Sequence, residues 1–231
     1  MDFLPIFLNI KNRNCLVVGG GEVAVRKITL LLQAGAQVSV ISPELDASLS
    51  EYVALGKIKH SAEHFQPSHL HNAVLVIAAT NNRVTNQLVS ETARQHLIPV
   101  NVVDNPDLCT FIMPSIIDRS PLMIAISSGG QSPVLARLLR AQLETIIPAA
   151  YARLTAIAGK LRQQVKEHFT HPEKRRIFWE KTLQGTFTDM VLAGRDKAAI
   201  DYLLQSLQHE KDESPQGEVY LVGAGPGNPD L

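Results

Sequence analysis

The chain has 231 residues, enough to bury a sizeable core in one or two domains, and 22 basic against 22 acidic residues leave no overall field toward nucleic acid. Its 45% hydrophobic and 19% charged content is that of an ordinary globular protein, and two cysteines, Cys15 and Cys109, read as reduced thiols rather than a disulfide framework. With no basic-then-apolar leader and no run near the ~20 apolar residues of a membrane span, the sequence predicts a cytoplasmic protein with no nucleic-acid or membrane partner.

Cys15-Leu16-Val17-Val18 predicts a buried strand. It runs into Gly19-Gly20-Gly21-Glu22-Val23-Ala24, a G-x-G-x-x-A spacing with Gly19, Gly21 and Ala24 at the three small positions. The first permits a tight turn, the second lets backbone approach a pyrophosphate, and the third lets helix pack closely on strand. A helix predicted over Glu22–Gln33 aims its N-terminal amides and positive dipole end at those phosphates. Strand, turn and helix in that order favour a dinucleotide site over a merely structural turn. Upstream, the apolar Leu4–Leu8 is predicted to add a short strand beside that site. A second strand, Gln37–Ile41, ends on Ser42-Pro43-Glu44. Ser42 stands where an acid is usual. Glu44 suits an adenosine ribose and Ser42 tolerates a 2′-phosphate, so these residues leave NAD and NADP both open.

Ile58–Ala62 predicts a third strand and Ala73–Thr80 a fourth, buried on both faces. Thr80 falls at its carboxyl end, where open α/β sheets bind ligands. Val84, Leu88, Val89, Ala93 and Leu97 mark a helix that leads into a strand at Pro99–Val103. The alternation predicts an α/β fold with a doubly wound, Rossmann-like parallel sheet. Asp104 follows the last strand directly and projects into the crevice. Two roles fit it equally: a base whose proton affinity is raised by desolvation, or a cap for the turn Asp104-Asn105-Pro106. Asp107 is the reserve acid. His60, His64, His69 and His71 cluster without a Cys or acid at tetrahedral spacing, so no metal site is predicted there.

Phe111–Ile117 and Leu122–Ser127, joined by Asp118-Arg119-Ser120-Pro121, predict a β-hairpin whose turn Asp118 shapes. A glycine-rich turn, Ser127–Ser132, then enters a helix with Ser132 as N-cap and Pro133 at its first position. An apolar ribbon on a domain that already has its sheet predicts pairing with a second copy. The remainder is helical, over Tyr151–Phe169, Pro172–Leu183 and Lys197–Leu207. Residues 160–181 hold seven Lys or Arg against three Glu. That is either a solvated face or a surface that, with Arg119 and the glycine-rich turn, attracts a polyanion. The predicted divisions are 1–113, a nucleotide-binding domain; 114–147, a dimerisation hairpin and helix; 148–209, a helical domain; 210–217, a polar linker; and 218–231, a strand and glycine-rich turn.

CLVVGGGEVAVRK (Cys15–Lys27) and FIMPSIIDRSPLMIAISSGGQSPVLARLLR (Phe111–Arg140) together resemble the N-terminal half of the siroheme synthases, in order over roughly residues 1–210. The resemblance implies NAD-dependent oxidation of precorrin-2 to sirohydrochlorin, then insertion of substrate Fe2+ to give siroheme. It implies Asp104 as the base for both steps. It places NAD on Gly19, Gly21, Glu22, Val23, Ala24, Ser42, Pro43, Glu44 and Thr80, and the tetrapyrrole near Arg119, Ser128, Gly129 and Gly130. No metal ligands are implied, because the macrocycle supplies its own nitrogens. Ser128 matches a serine that is phosphorylated in the family, where a phosphate would repel an anionic substrate; local hydrogen bonding in the turn is the other reading. An intertwined homodimer is also implied. Residues 218–231 resemble the opening of an S-adenosylmethionine-dependent uroporphyrinogen-III methyltransferase domain, with Pro226 where its cofactor loop begins and the chain cut short at Leu231.

Two other classes compete. One is a non-catalytic, NAD-sensing dimeric module, and the other a dehydrogenase acting on a different polyanion. A sensor has no need of an acid at the strand end or an anion-ready turn, which favours the enzyme.

Overall fold

A computed structural model describes residues 2–210; the linker from 211, the segment 218–231 and Pro226 within it lie outside the described residues. Strands β1 (Asn14–Val18), β2 (Gln37–Ile41), β3 (Ile58–Ser61), β4 (Ala73–Ala78) and β5 (Val100–Val102) form one parallel sheet in the order β3-β2-β1-β4-β5. Helices α1 (Glu22–Gln33), α2 (Ala47–Ala54) and α3 (Arg83–Gln95) make crossovers between the strands. The chain steps outward from β1 to β3, then returns to the other side of β1. That reversal puts a crevice at the carboxyl ends of β1 and β4.

Successive strand residues point to opposite faces, and here both faces are apolar. On one, Cys15, Val17, Val38, Val40 and Ile77 pack with Ala24 and Ile28 of α1 and Leu49 of α2. On the other, Leu16, Val18, Ile41, Val76 and Val100 pack with Val89 and Ala93 of α3. Register pairs Val18 with both Ile41 and Ala78, so three strand ends stand level. The first loop residue after each strand then donates to a carbonyl on a neighbour. Gly19 N bonds Ile41 O at 2.9 Å, Ser42 N bonds Ser61 O at 3.2 Å, Ala79 N bonds Val18 O at 2.8 Å and Val103 N bonds Ala78 O at 2.9 Å. The rim of the crevice is thereby laced strand to strand.

Two expectations need correction, and one helix lies where none was expected. Leu4–Leu8 forms no strand, and Leu4, Ile6, Phe7 and Leu8 are all more than half exposed; Pro5 removes one of the ladder donors such a strand needs. Helix α2 went unpredicted because its eight residues put only Leu49, Tyr52 and Val53 against the core, too few to show a period; Asp46 caps it, accepting from Ser48 N at 2.8 Å. The hairpin, β6 (Ser115–Arg119) and β7 (Leu122–Ile126), starts later than Phe111. Phe111 instead packs against the α1 side of the sheet core, and its carbonyl accepts from Asn101 Nδ2 at 3.0 Å.

The chain divides into two compact units, Met1–Ser115 with Ala125–Leu139, and Ile116–Ile124 with the chain from Arg140 onward. Helix α4 (Pro133–Ile146) carries the chain across that division. In the second unit, α5 (Tyr151–His168), α6 (Pro172–Leu183), α7 (Thr186–Leu192) and α8 (Asp196–His209) surround one core. Leu154, Ile157, Leu161 and Val165 supply the α5 stripe at helical spacing, against Phe178, Phe187, Val191 and Leu203. The seven-residue α7, between Gly185 and Gly194, is too short for periodicity to reveal.

Candidate active site

The three glycines after β1 do different work. Gly19 has φ +118°, and a Cβ there would lie 2.4 Å from the carbonyl oxygen of Ala79. A Cβ on Gly20 would lie 2.1 Å from the carbonyl oxygen of Glu44. Both positions are closed to any side chain by the protein's own backbone. Gly21 is the opposite case: a Cβ there meets nothing within 4 Å. It stands exposed as the N-cap of α1, so open space lies over the helix amides where a pyrophosphate is bound in folds of this kind. The residues present fit a dinucleotide.

The loop after β2 folds Ser42 inward. Its Oγ donates to Glu44 O at 2.7 Å, its carbonyl lies 2.8 Å from His60 Nε2, and it is buried. The hydroxyl expected to tolerate a 2′-phosphate is thus engaged inside the loop, while Pro43 and Glu44 are exposed. After β4, Thr80 Oγ1 donates to Asn86 Oδ1 at 2.7 Å and Asn86 Nδ2 donates back to Thr80 O at 2.9 Å. This pair braces the loop against the buried side of α3.

Asp104 sits on the turn after β5 with φ +59°, a left-handed conformation that strains most residues but that Asp tolerates. Other groups hold that turn. Val103 N bonds Ala78 O, Asn105 N bonds Val102 O at 3.2 Å, and Asn105 Nδ2 donates to Val103 O at 3.0 Å. Cys109 Sγ accepts from Val102 N at 3.2 Å and lies 3.3 Å from the carbonyl oxygens of Val102 and Asn105. Among the described residues the Asp104 carboxylate itself makes no hydrogen bond or ion pair, so it does not cap the turn. The expected desolvation is absent as well: Asp104 is exposed. With Val23, Arg26, Lys27, Leu30 and Val103 it lines a cavity of about 280 Å³ along one face of α1.

Lys27 is the neighbour that matters electrically. Burial, and then the charge of Arg26, push its ammonium below the ordinary lysine range, while the Asp104 carboxylate and the Cys109 thiol oppose the shift. Cys109 is itself pushed up, chiefly by burial. Sequence reasoning missed Lys27, Cys109 and Asn86. Lys27 had a signal, since Val23, Lys27 and Leu30 share one helical face below the glycine turn. Cys109 and Asn86 had none, because only the folded loop brings them to Val102 and Thr80.

The remaining expected residues are engaged elsewhere. Arg119, in the second unit, donates from Nε to Ile147 O and from a terminal nitrogen to Asp118 O, both at 3.0 Å. Asp118 shapes its turn as expected, accepting from Ser120 N at 2.8 Å and Ser120 Oγ at 2.6 Å; those bonds hold its carboxyl below the usual range. Ser128 Oγ accepts from Ser132 N at 2.9 Å, and Gly129 and Gly130 carry φ of +64° and +84°. Asp107 is exposed, with its carbonyl accepting from Arg94 at 2.8 Å. His69 bonds Gln66 N and lies 3.3 Å from Glu63. Among the described residues no three His, Cys, Asp or Glu gather as a metal site, and no helix is long and apolar enough to cross a membrane.

Comparison with known proteins adds the following. Residues 6–115 match an NAD(P)-binding family model, residues 119–145 the model of the sirohaem biosynthesis protein central region, and residues 150–207 that of the sirohaem synthase dimerisation region. The whole chain is 62% identical to the siroheme synthase of Nitrosomonas eutropha and 60% identical to that of Nitrosomonas europaea, covering 49% of each. It thus spans about half the length of the curated relatives it matches. Among solved structures it is similar to SirC, a precorrin-2 dehydrogenase, with a TM-score of 0.68 at 23% identity over 90% of this chain and 100% of that one, a likeness of fold.

Proposed function

We propose that the chain is a member of the siroheme synthase family that oxidises precorrin-2 to sirohydrochlorin with NAD and then inserts substrate Fe2+ to give siroheme. One observation carries the assignment of roles: a carboxylate with no structural duty, on a strained turn, at the carboxyl edge of a sheet whose first loop is cleared for a dinucleotide. Bound at Gly19, Gly21, Glu22, Val23 and Ala24, NAD supplies a hydride acceptor. Glu44 takes the adenosine ribose, which favours NAD over NADP because Ser42 is turned away. Thr80, fixed by Asn86, holds the far side of the crevice.

Asp104 is the base. Its carboxylate accepts the proton released on ring oxidation, and later the pyrrole protons that the metal displaces. The Lys27 ammonium, on the same cavity, offsets its charge. Ser128, Gly129 and Gly130 supply turn amides for substrate carboxylates. A phosphate on Ser128 would break its bond to Ser132 N and place charge against an anionic substrate.

Two copies assemble as a homodimer. The match of residues 150–207 to a dimerisation region supports this, as does the apolar surface on α4.

Asp104→Asn keeps the size of the side chain and tests the role directly. Precorrin-2 oxidation and iron insertion, each followed by absorbance, should both fall by ~10²–10⁴, with NAD⁺ affinity nearly unchanged. Loss of oxidation with normal iron insertion would reject a shared base and turn attention to Asp107. Full retention of both activities would leave Asp104 a turn residue, as a sensing module requires.

A further inference from the structure

The second unit contains a larger cavity, of about 640 Å³, between the faces of α5 and α6. From α5 it is lined by Gly159, Arg162 and Lys166, which lie on one side of the helix; from α6 it is lined by Arg175, Arg176 and Trp179. Of its eight lining residues four are Lys or Arg, and none is Asp or Glu. Among the described residues only Arg176 of these four has a carboxylate partner, Glu180 at 3.3 Å. Arg175 has its Nε buried without a hydrogen-bond partner, an arrangement folded chains normally avoid.

Gly159 is the second independent observation. It sits inside α5, where glycine is a poor helix former. No packing demands it, since a Cβ there would meet nothing within 4 Å. Its effect is to leave the α5 wall of the cavity bare. A helix weakened by glycine, unpaired cations and an indole around one opening are hard to reconcile with a merely solvated charged face.

We propose that this cavity binds a small polyanion whose carboxylates or phosphates surround a flat unsaturated ring. The volume is that of a small-molecule site. Guanidinium groups pair with carboxylate or phosphate through parallel hydrogen bonds, and Trp179 presents a flat apolar surface for the ring. Its lining shares no residue with that of the Asp104 cavity, and the proposal does not depend on the proposed function.

Trp179 is the chain's single tryptophan, so its fluorescence reports the site alone. Benzenehexacarboxylate, ATP and inorganic pyrophosphate are titrated separately into the full chain, with calorimetry in parallel. Saturable binding of either ring-bearing anion, one per chain and weakening as salt rises, is the expected result, and the tighter of the two identifies the anionic group. Arg175→Gln should weaken it at least tenfold. Gly159→Leu should abolish it while leaving the melting temperature equal or higher, which guards against a variant that simply misfolds. Absence of saturable binding, binding unchanged in Gly159→Leu, or pyrophosphate binding as tightly as both ring anions would overturn the proposal.

Discussion

Helices α1 and α4 read alike in sequence, each with an apolar stripe at helical spacing, yet the fold treats them oppositely. In α1, Ala24, Ile28 and Leu31 are buried against the sheet. In α4, only Ala136 is buried, and Val134, Leu135, Leu138 and Ile146 are 50–67% exposed. A periodic stripe states that a helix has something to cover. What covers it is a property of the neighbours, and for α4 the neighbour we propose is another copy of the chain.

The sharpest way to break this comparison is to place the same charge on both stripes. Ile28→Glu puts an unpaired carboxylate into a fully buried site and should destabilise the sheet unit by more than ~4 kcal/mol, read by denaturant unfolding. Leu138→Glu should change unfolding of the single chain by only about 0.5 kcal/mol but shift the dimer toward monomer by light scattering. Equal unfolding effects would remove the distinction between the two helices.

The N-terminus of α1 sharpens it further. Gly19→Ala should be destabilising by about 3 kcal/mol or more, from its positive φ and its contact with Ala79. Gly21→Ala should cost about 1 kcal/mol as a poorer N-cap, but weaken NAD⁺ binding tenfold or more. Calorimetric titration distinguishes the two.

An effect confined to alkaline pH concerns Cys15, on the strand beneath α1. Burial pushes its thiol up to about 11 from an ordinary 9.0. The folded state disfavours the thiolate, so its contribution is whole below pH 9 and is lost as pH rises toward 11. The loss approaches roughly 3 kcal/mol across that window. Cys15→Ala should flatten this part of the stability profile; an unchanged slope would show that other groups set it.

Much of the sheet unit was legible because its signals are local. Helix α1 and strand β2 fall on their predicted bounds, since a strand–glycine–helix transition is written in neighbouring residues. Asp104 was legible as a position but not as an environment: exposure and a thiol-braced turn arise from residues 105–109 folding back under β5. Arg119 and Ser42 were likewise legible as types but not in their contacts. Their types suggested ligands, whereas Ile147 O and Glu44 O, visible only after folding, take up their donors. Short helices such as α2 and α7 carry too few turns for a period to be seen.

The lacing of the crevice rim has a consequence for isotope exchange. Gly19, Ser42, Ala79 and Val103 all lie outside the strands, in segments where amide protons normally trade with deuterium within minutes. Each instead donates to a carbonyl on an adjacent strand, so its exchange waits on opening of the sheet. The four amides should persist together with those of the strand interiors and disappear together when the sheet opens. The binding rim would then keep time with the core rather than with the loops to which it belongs by sequence.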